Sequence, residues 1–185
     1  MNNRCILGLA IATMAVAAHA QVKVSGSLGT TETMNKVKPG MAINGADRKF
    51  FAEARVATVF NMRLAEIARN RANSSWAKEF SDLRHKDYAQ NYGELKVIGS
   101  KVGIKVDKSL PGEWESRLSQ IKSKSGSGFD SAFSKNYVAV NEQFSDQAER
   151  AVKSGNNSLI RNFAVTQGPV IRLNIKMAKR KVSKI

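Results

Sequence analysis

The residues of this chain with the clearest potential for chemistry are Asp82 and His85, three positions apart in the stretch SDLRH. On a helix this spacing places both side chains on one face, where they could share a metal ion. Dimetal centres in helical bundles use two Glu-x-x-His pairs and two further glutamates. The chain offers one such near match and no second. Asp82 and His85 are therefore weak metal candidates, and the sequence predicts no bound metal or other cofactor.

The sequence gives no support for nucleophilic catalysis. Cys5 is the only cysteine, and the chain has two histidines, of which His85 is the one outside the first twenty residues. It contains no G-x-S-x-G elbow, no P-loop and no dinucleotide fingerprint. Ser125 to Gly128 reads as a flexible loop rather than a phosphate cradle. No catalytic residue is predicted, and a non-enzymatic role is favoured.

Residues 1–20 have the layout of a secretory signal peptide. Arg4 precedes an apolar run, and Ala18-His19-Ala20 forms a small-x-small cleavage site. The alternative is an N-terminal membrane anchor, but the apolar run is short for a bilayer span. We therefore expect an exported protein, periplasmic or associated with the outer membrane. Beyond residue 20 the sequence predicts no transmembrane segment.

The chain is strongly basic, with a formal net charge of +15 at pH 7. Such a charge indicates an anionic partner or serves solubility alone. After export the candidate partners are anionic lipid, lipopolysaccharide, cell-wall polymer or an acidic protein, and nucleic acid is not expected. The cations near the C-terminus could form an anion-binding surface or simply a solvated helix face. They are Arg172, Lys176, Lys179, Arg180, Lys181 and Lys184.

The pattern of apolar residues predicts an all-α domain over residues 47–182. A flexible leader over residues 21–46 precedes it and a basic end over 183–185 follows it. Four long amphipathic helices are expected, the first capped by Asp47 and the third beginning at Phe129. The second follows a candidate cap at Ser74 and is ended by Gly99 and Gly103, and the third ends at Gly155. The expected inward positions include Leu83 of the second helix, Phe133, Tyr137 and Phe144 of the third, and Val170, Ile171, Met177 and Ala178, which are spaced with Asn174 on the fourth. The connection over residues 104–128 is long for a bundle and carries a short helix after Pro111. A long crossover between the second and third long helices predicts a ferritin-like four-helix bundle.

Several of these elements resemble the domain-of-unknown-function family numbered 4142, over about residues 48–180. The matching marks are Phe129-Asp130, Lys153-Ser154-Gly155, Phe163-Ala164, Pro169 and Met177-Ala178, with VFNMRLAEIARNRA and FSDLRHKDYAQNYGEL in the first half. The resemblance implies an exported bacterial protein with a ferritin-like helical domain. Such proteins are often labelled as outer-membrane proteins, and the resemblance implies no established reaction.

The chain departs from this family at positions where the family carries histidine or acidic residues. Tyr88, Asn141 and Asn174 stand where the resemblance places a histidine in three helices, and Asn61 stands at an acidic position. A neutral amide is a poor ligand for a transition metal. These four residues are expected to form a buried polar layer joined by hydrogen bonds. A small-ligand site lined by them is the alternative.

Two functions remain open from the sequence. The preferred one is a non-enzymatic binding or structural protein that contacts anionic components of the cell envelope. The alternative is a ferritin-like metal-binding protein or oxidoreductase with an atypical centre.

Overall fold

The computed structural model describes residues 42–182, which are helical with short connections and contain no strand. The predicted signal peptide, the leader up to residue 41 and the end over 183–185 lie outside the described residues. The five helices of residues 42–182 form a helical bundle. They are α1 (Gly45–Arg71), α2 (Ser75–Val102), α3 (Gly112–Lys122), α4 (Gly126–Ser154) and α5 (Ser158–Val182).

Helix α1 begins three residues earlier than the sequence predicted, because its cap is Asn44 rather than Asp47. The Asn44 side chain accepts a hydrogen bond from the Asp47 backbone N–H at 2.8 Å. The Asp47 carboxylate in turn accepts one from the Asn44 backbone N–H at 3.0 Å. This reciprocal pair is a capping box. The prediction of Asp47 as the cap was wrong, since a carboxylate at the third helical position serves the same helix end from inside.

Most of the other helix ends agree with the sequence. Ser74 caps α2, and Gly103, with a left-handed φ of 72°, ends it. Helix α4 starts at Gly126, three residues before the predicted Phe129, so Gly126 to Gly128 are helical rather than part of a loop. Pro169 lies inside α5, which continues past it to Val182.

Two buried aspartates tie the long helices to one another. Asp47, at the start of α1, accepts hydrogen bonds from the backbone N–H groups of Asn156 and Asn157, both at 3.1 Å, in the connection between α4 and α5. Asp130, at the start of α4, accepts them from Asn73 and Ser74, at 2.9 and 2.8 Å, in the connection between α1 and α2. Helix α1 therefore starts beside the end of α4, and α4 starts beside the end of α1, so these two helices are antiparallel. The short connections make α2 antiparallel to α1 and α5 antiparallel to α4.

Aromatic side chains from all four long helices fill much of the core. Phe50 of α1 packs against Phe144 of α4 and Phe163 of α5, with ring centroids 6.0 and 6.3 Å apart. Leu83, predicted to point inward from α2, is instead 41% exposed, because Phe80 and Tyr88 occupy the buried face of that helix. The largest fully buried side chains are Tyr137, Phe50, Phe51, Phe60, Phe129, Phe133, Phe163, Leu64, Leu95, Ile98, Ile160 and Val59.

The segment between α2 and α4 contacts α1 at successive points along its length. Arg55 forms an ion pair with Asp107 at 3.1 Å, and Arg63 forms one with Glu115. Between these two arginines, the ring of Phe60 meets Trp114 of α3 edge-on at 5.1 Å. Helix α3 also packs on α4. No helix of residues 42–182 has both the length and the apolar character that a membrane span requires.

Candidate functional site

The two weak metal candidates are held apart from any larger ligand set. The Asp82 carboxylate forms ion pairs with Arg69 of α1 at 3.0 Å and with Lys86 at 3.2 Å. Both of its oxygens therefore face cations rather than His85. Within residues 42–182, no three histidine, cysteine, aspartate or glutamate side chains gather closely enough to hold a metal ion. The dimetal geometry considered for this pair would require at least that number of ligands.

The four polar residues expected in the core are all buried. The Tyr88 hydroxyl donates a hydrogen bond to Asn141 Oδ1 at 2.6 Å, and this bond joins α2 to α4. The Asn141 amide nitrogen lies 2.7 Å from the Tyr137 carbonyl oxygen and 3.4 Å from Asn61 Oδ1, which extends the contact to α1. Asn174 lies outside this set, since no hydrogen bond joins it to the other three. The structure thus brings together three of the four predicted positions.

Tyr137 also belongs to this polar layer, although the sequence predicted it only as a core residue. Its hydroxyl oxygen lies 3.3 Å from that of Tyr88. Burial raises the pKa of Tyr137 to about 12. Burial, reinforced by the neighbouring Tyr137, raises the pKa of Tyr88 well above its usual range. Both phenols are therefore neutral near pH 7 and serve as hydrogen-bonding groups rather than as acids or bases.

A second feature lies on the outside of the bundle, along α5. Val165, Pro169, Leu173 and Met177 recur every fourth residue, so they follow one face of the helix. All four are exposed, and Leu173 is the most open of the large apolar side chains at 56%. Val170 borders the same row and is also exposed. We call these five residues the α5 apolar stripe.

This stripe was not predicted from the sequence. The spacing of the residues groups Val170 and Met177 with the buried Asn174, but their side chains point outward, while Ile171 and Ala178 cover the core. The prediction for Val170 and Met177 was wrong, because residues one position apart on a helix differ in direction by about 100°. The repeat of an apolar residue every fourth position was the signal that could have revealed it.

Cations border the α5 apolar stripe. Arg172 forms an ion pair with Glu149 of α4 at 3.3 Å, and Lys179 forms one with Glu142 at 2.5 Å. Lys176 and Lys181 are exposed, and no carboxylate within residues 42–182 pairs with them. Arg180 is exposed and already has an interaction partner. Lys184 lies outside the described residues. Exposed ion pairs contribute about 0–1 kcal/mol, so such cations can exchange carboxylate partners for other anions.

A shallow groove adjoins the stripe between α4 and α5. It encloses about 300 Å³, and its walls include Ala148, Val152, Ala164, Val165 and Pro169. Lys153, Arg172 and the Arg172 partner Glu149 also line it. The groove thus combines apolar walls with two cations and one carboxylate.

The fold and these two features define a helical-bundle protein with a hydrogen-bonded polar layer inside and a basic, partly apolar helix face outside. The chain belongs to the family described as a domain of unknown function (DUF4142), whose model matches residues 32–180. The resemblance found in the sequence is confirmed, and the match reaches back into the predicted leader. No curated protein and no solved structure matches the chain.

Proposed function

We propose that this protein is exported and binds the surface of an anionic membrane in the cell envelope through the outer face of α5, as a binding or structural protein rather than an enzyme. The observation that carries the proposal is the α5 apolar stripe with its bordering cations. Apolar side chains gain free energy when they leave water for the acyl region, and cations gain from anionic headgroups. The predicted signal peptide supports delivery to the envelope.

Among the four anionic partners considered, a lipid surface fits the stripe best. A cell-wall polymer would satisfy the cations but would leave Val165, Leu173 and Met177 in contact with water. An acidic protein could also cover them, but apolar residues bordered by cations along one helix are typical of helices that lie on a membrane surface. The groove beside Pro169 supports a lipid, because its apolar walls could take an acyl chain and its two cations outnumber its one carboxylate.

We also propose that the bundle is ferritin-like, with residues 103–125 forming a long crossover between α2 and α4. Support comes from the contacts of this segment along α1, through Arg55 at one end and Arg63 further on. Support also comes from the antiparallel order of α1 and α4, because a chain leaving the end of α2 must travel the length of the bundle to start α4.

Flotation of the protein with lipid vesicles tests the proposed membrane binding. Vesicles of a zwitterionic phospholipid are compared with vesicles that also contain phosphatidylglycerol, at low and at high salt. We expect binding to the anionic vesicles that weakens as salt rises, because exposed charges are screened. Absence of binding at low salt contradicts the proposal, as does stronger binding to purified cell-wall polymer than to the vesicles.

A pair of variants locates the binding face. Leu173→Ser combined with Met177→Ser removes two apolar side chains of the stripe, each contributing about 1 kcal/mol at partial burial, so affinity should fall roughly tenfold or more. Leu83→Ser is the matched control, since Leu83 is exposed on α2. An equal loss in the control contradicts the assignment to α5.

Sequencing the N-terminus of the periplasmic protein tests export and cleavage after Ala20.

A further inference from the structure

A cavity of about 390 Å³ lies between α1, α3 and α4 and shares no lining residue with the buried polar layer or the α5 apolar stripe. Its apolar lining includes Val56 and Ala57 of α1, Trp114 of α3, and Val140 and Phe144 of α4. No residue of α5 lines it, so it is independent of the proposed membrane surface. Its volume is within the range of pockets that hold small molecules.

One charged side chain in this cavity has no partner within the described residues. Glu53 of α1 lines the wall, and its Oε2 atom is shielded from solvent without a hydrogen-bond donor in residues 42–182. A shielded carboxylate oxygen without a donor is costly, because it has lost hydration and gained nothing in return. Asp47 Oδ1 is likewise buried without a donor among the described residues, but the other oxygen of that carboxylate accepts three backbone hydrogen bonds. Both oxygens of Asp82 and of Asp130 are engaged.

The cation in the lining, Arg55, forms no hydrogen bond with Glu53 Oε2. The guanidinium of Arg55 forms an ion pair with Asp107 at 3.1 Å and donates to the Ser109 carbonyl oxygen at 2.6 Å. A second carboxylate, that of Glu113, also lines the cavity. The site therefore favours a positive ligand, although the protein as a whole is strongly basic.

The apolar wall indicates that the part of the ligand away from its positive charge is apolar. Trp114 is held edge-on against Phe60 at 5.1 Å, and the Arg117 guanidinium lies 5.7 Å from its ring centroid. Trp114 is thus fixed as a flat surface beside Val140 and Phe144. Such a wall accepts a compact hydrocarbon or aromatic group. A metal ion is a poor fit, because the residues described here bring no third ligand to Glu53 and Glu113.

We propose that this cavity binds a small amphipathic organic cation, a protonated primary amine whose ammonium group pairs with Glu53 and whose apolar body packs against Trp114. The ammonium supplies the donors that Glu53 Oε2 lacks. The apolar body replaces water along Val140 and Phe144.

Calorimetric titration of the full-length processed protein with 2-phenylethylammonium tests this site, with 2-phenylethanol as the neutral analogue. We expect the amine to bind and the alcohol to bind at least tenfold more weakly. Glu53→Gln keeps the shape of the side chain and removes its charge, and it should weaken amine binding by tenfold or more. Glu66→Gln, an exposed position on the same helix, is the control and should leave amine binding unchanged.

Thermal unfolding of Glu53→Gln separates a lost site from a lost fold. The variant should be at least as stable as the parent, since it removes a charged oxygen without a partner. A second variant, Ala52→Trp, fills the mouth from an exposed position and should also block the amine. The proposal is overturned if the amine does not bind, if the alcohol binds equally well, or if Glu53→Gln and Glu66→Gln behave alike.

Discussion

Replacing Asp47 by alanine tests whether the buried aspartates hold the two halves of the bundle together. Asp47 is fully buried, and its Oδ2 atom accepts three backbone hydrogen bonds. One donor, Asn44, belongs to the start of α1, and the other two, Asn156 and Asn157, belong to the connection between α4 and α5. Asp47→Ala removes all three bonds at once without changing any apolar contact of the core.

The expected cost follows from where the three donors lie. Asn157 is buried, so its N–H would be left without a partner, which costs about 1–3 kcal/mol. Asn44 and Asn156 are more open, so water replaces the carboxylate there and each lost bond costs about 0.5–1 kcal/mol. Relief of the buried charge offsets part of this sum. We expect a loss of about 3 kcal/mol, a large share of the roughly 5–15 kcal/mol typical of a domain.

Urea unfolding followed by far-UV circular dichroism measures this loss, and thermal unfolding should show a melting temperature lower by about 10 °C. Asp130→Ala removes two such bonds and should cost less than Asp47→Ala. Asp146→Ala, at an exposed position of α4, is the control and should change stability by less than about 0.5 kcal/mol. If Asp47→Ala costs no more than the control, the aspartates do not join the two halves as described.

Two further predictions concern single residues. Gly99→Ala should destabilise the protein by about 1–3 kcal/mol, because the Cβ of the new alanine would lie 2.5 Å from the Ile104 carbonyl oxygen. Gly93→Ala is the comparison. Position 93 has open space around it, so this change should be neutral or stabilising by up to about 1 kcal/mol. Urea midpoints compare the two, and equal effects contradict the packing at Gly99. Tyr88 and Tyr137 should remain protonated at pH 11, as measured by phenolate absorbance. Because their folded-state pKa values are raised, to about 12 for Tyr137, the stability they contribute is complete below about pH 10 and is lost as pH rises towards 12. Normal titration of all tyrosines in the folded protein contradicts their burial.

Much of the fold could be predicted from the sequence because helix ends and apolar repeats are local signals. The ends at Gly103 and Gly155 and the cap at Ser74 depend on residues a few positions apart. The inward positions of α4, from Phe133 to Phe144, follow a regular helical repeat. Leu83 of α2 and Val170 and Met177 of α5 were exceptions. The apolar residues of α2 are too irregular to indicate one face, and those of α5 follow both a buried and an exposed face.

The candidate sites could be predicted only in part. Asn61, Tyr88 and Asn141 were predicted to be buried, but their mutual contacts join residues from 53 to 80 positions apart. The cavity at Glu53 was not predicted at all. Its walls come from three helices, and no local pattern distinguishes Glu53 from an ordinary surface glutamate.

By itself, the sequence determined the all-helical class, most helix ends and the membership of the family, because each rests on residue types at short or ordered spacing. Only the tertiary structure decided which residues meet. It placed Asp47 and Asp130 at opposite joints of the bundle, left Leu173 and Met177 facing outward, and shielded one carboxylate oxygen of Glu53 without giving it a donor among the described residues. The physical reason is that burial and pairing depend on how neighbouring helices pack, and a single helix does not specify its neighbours.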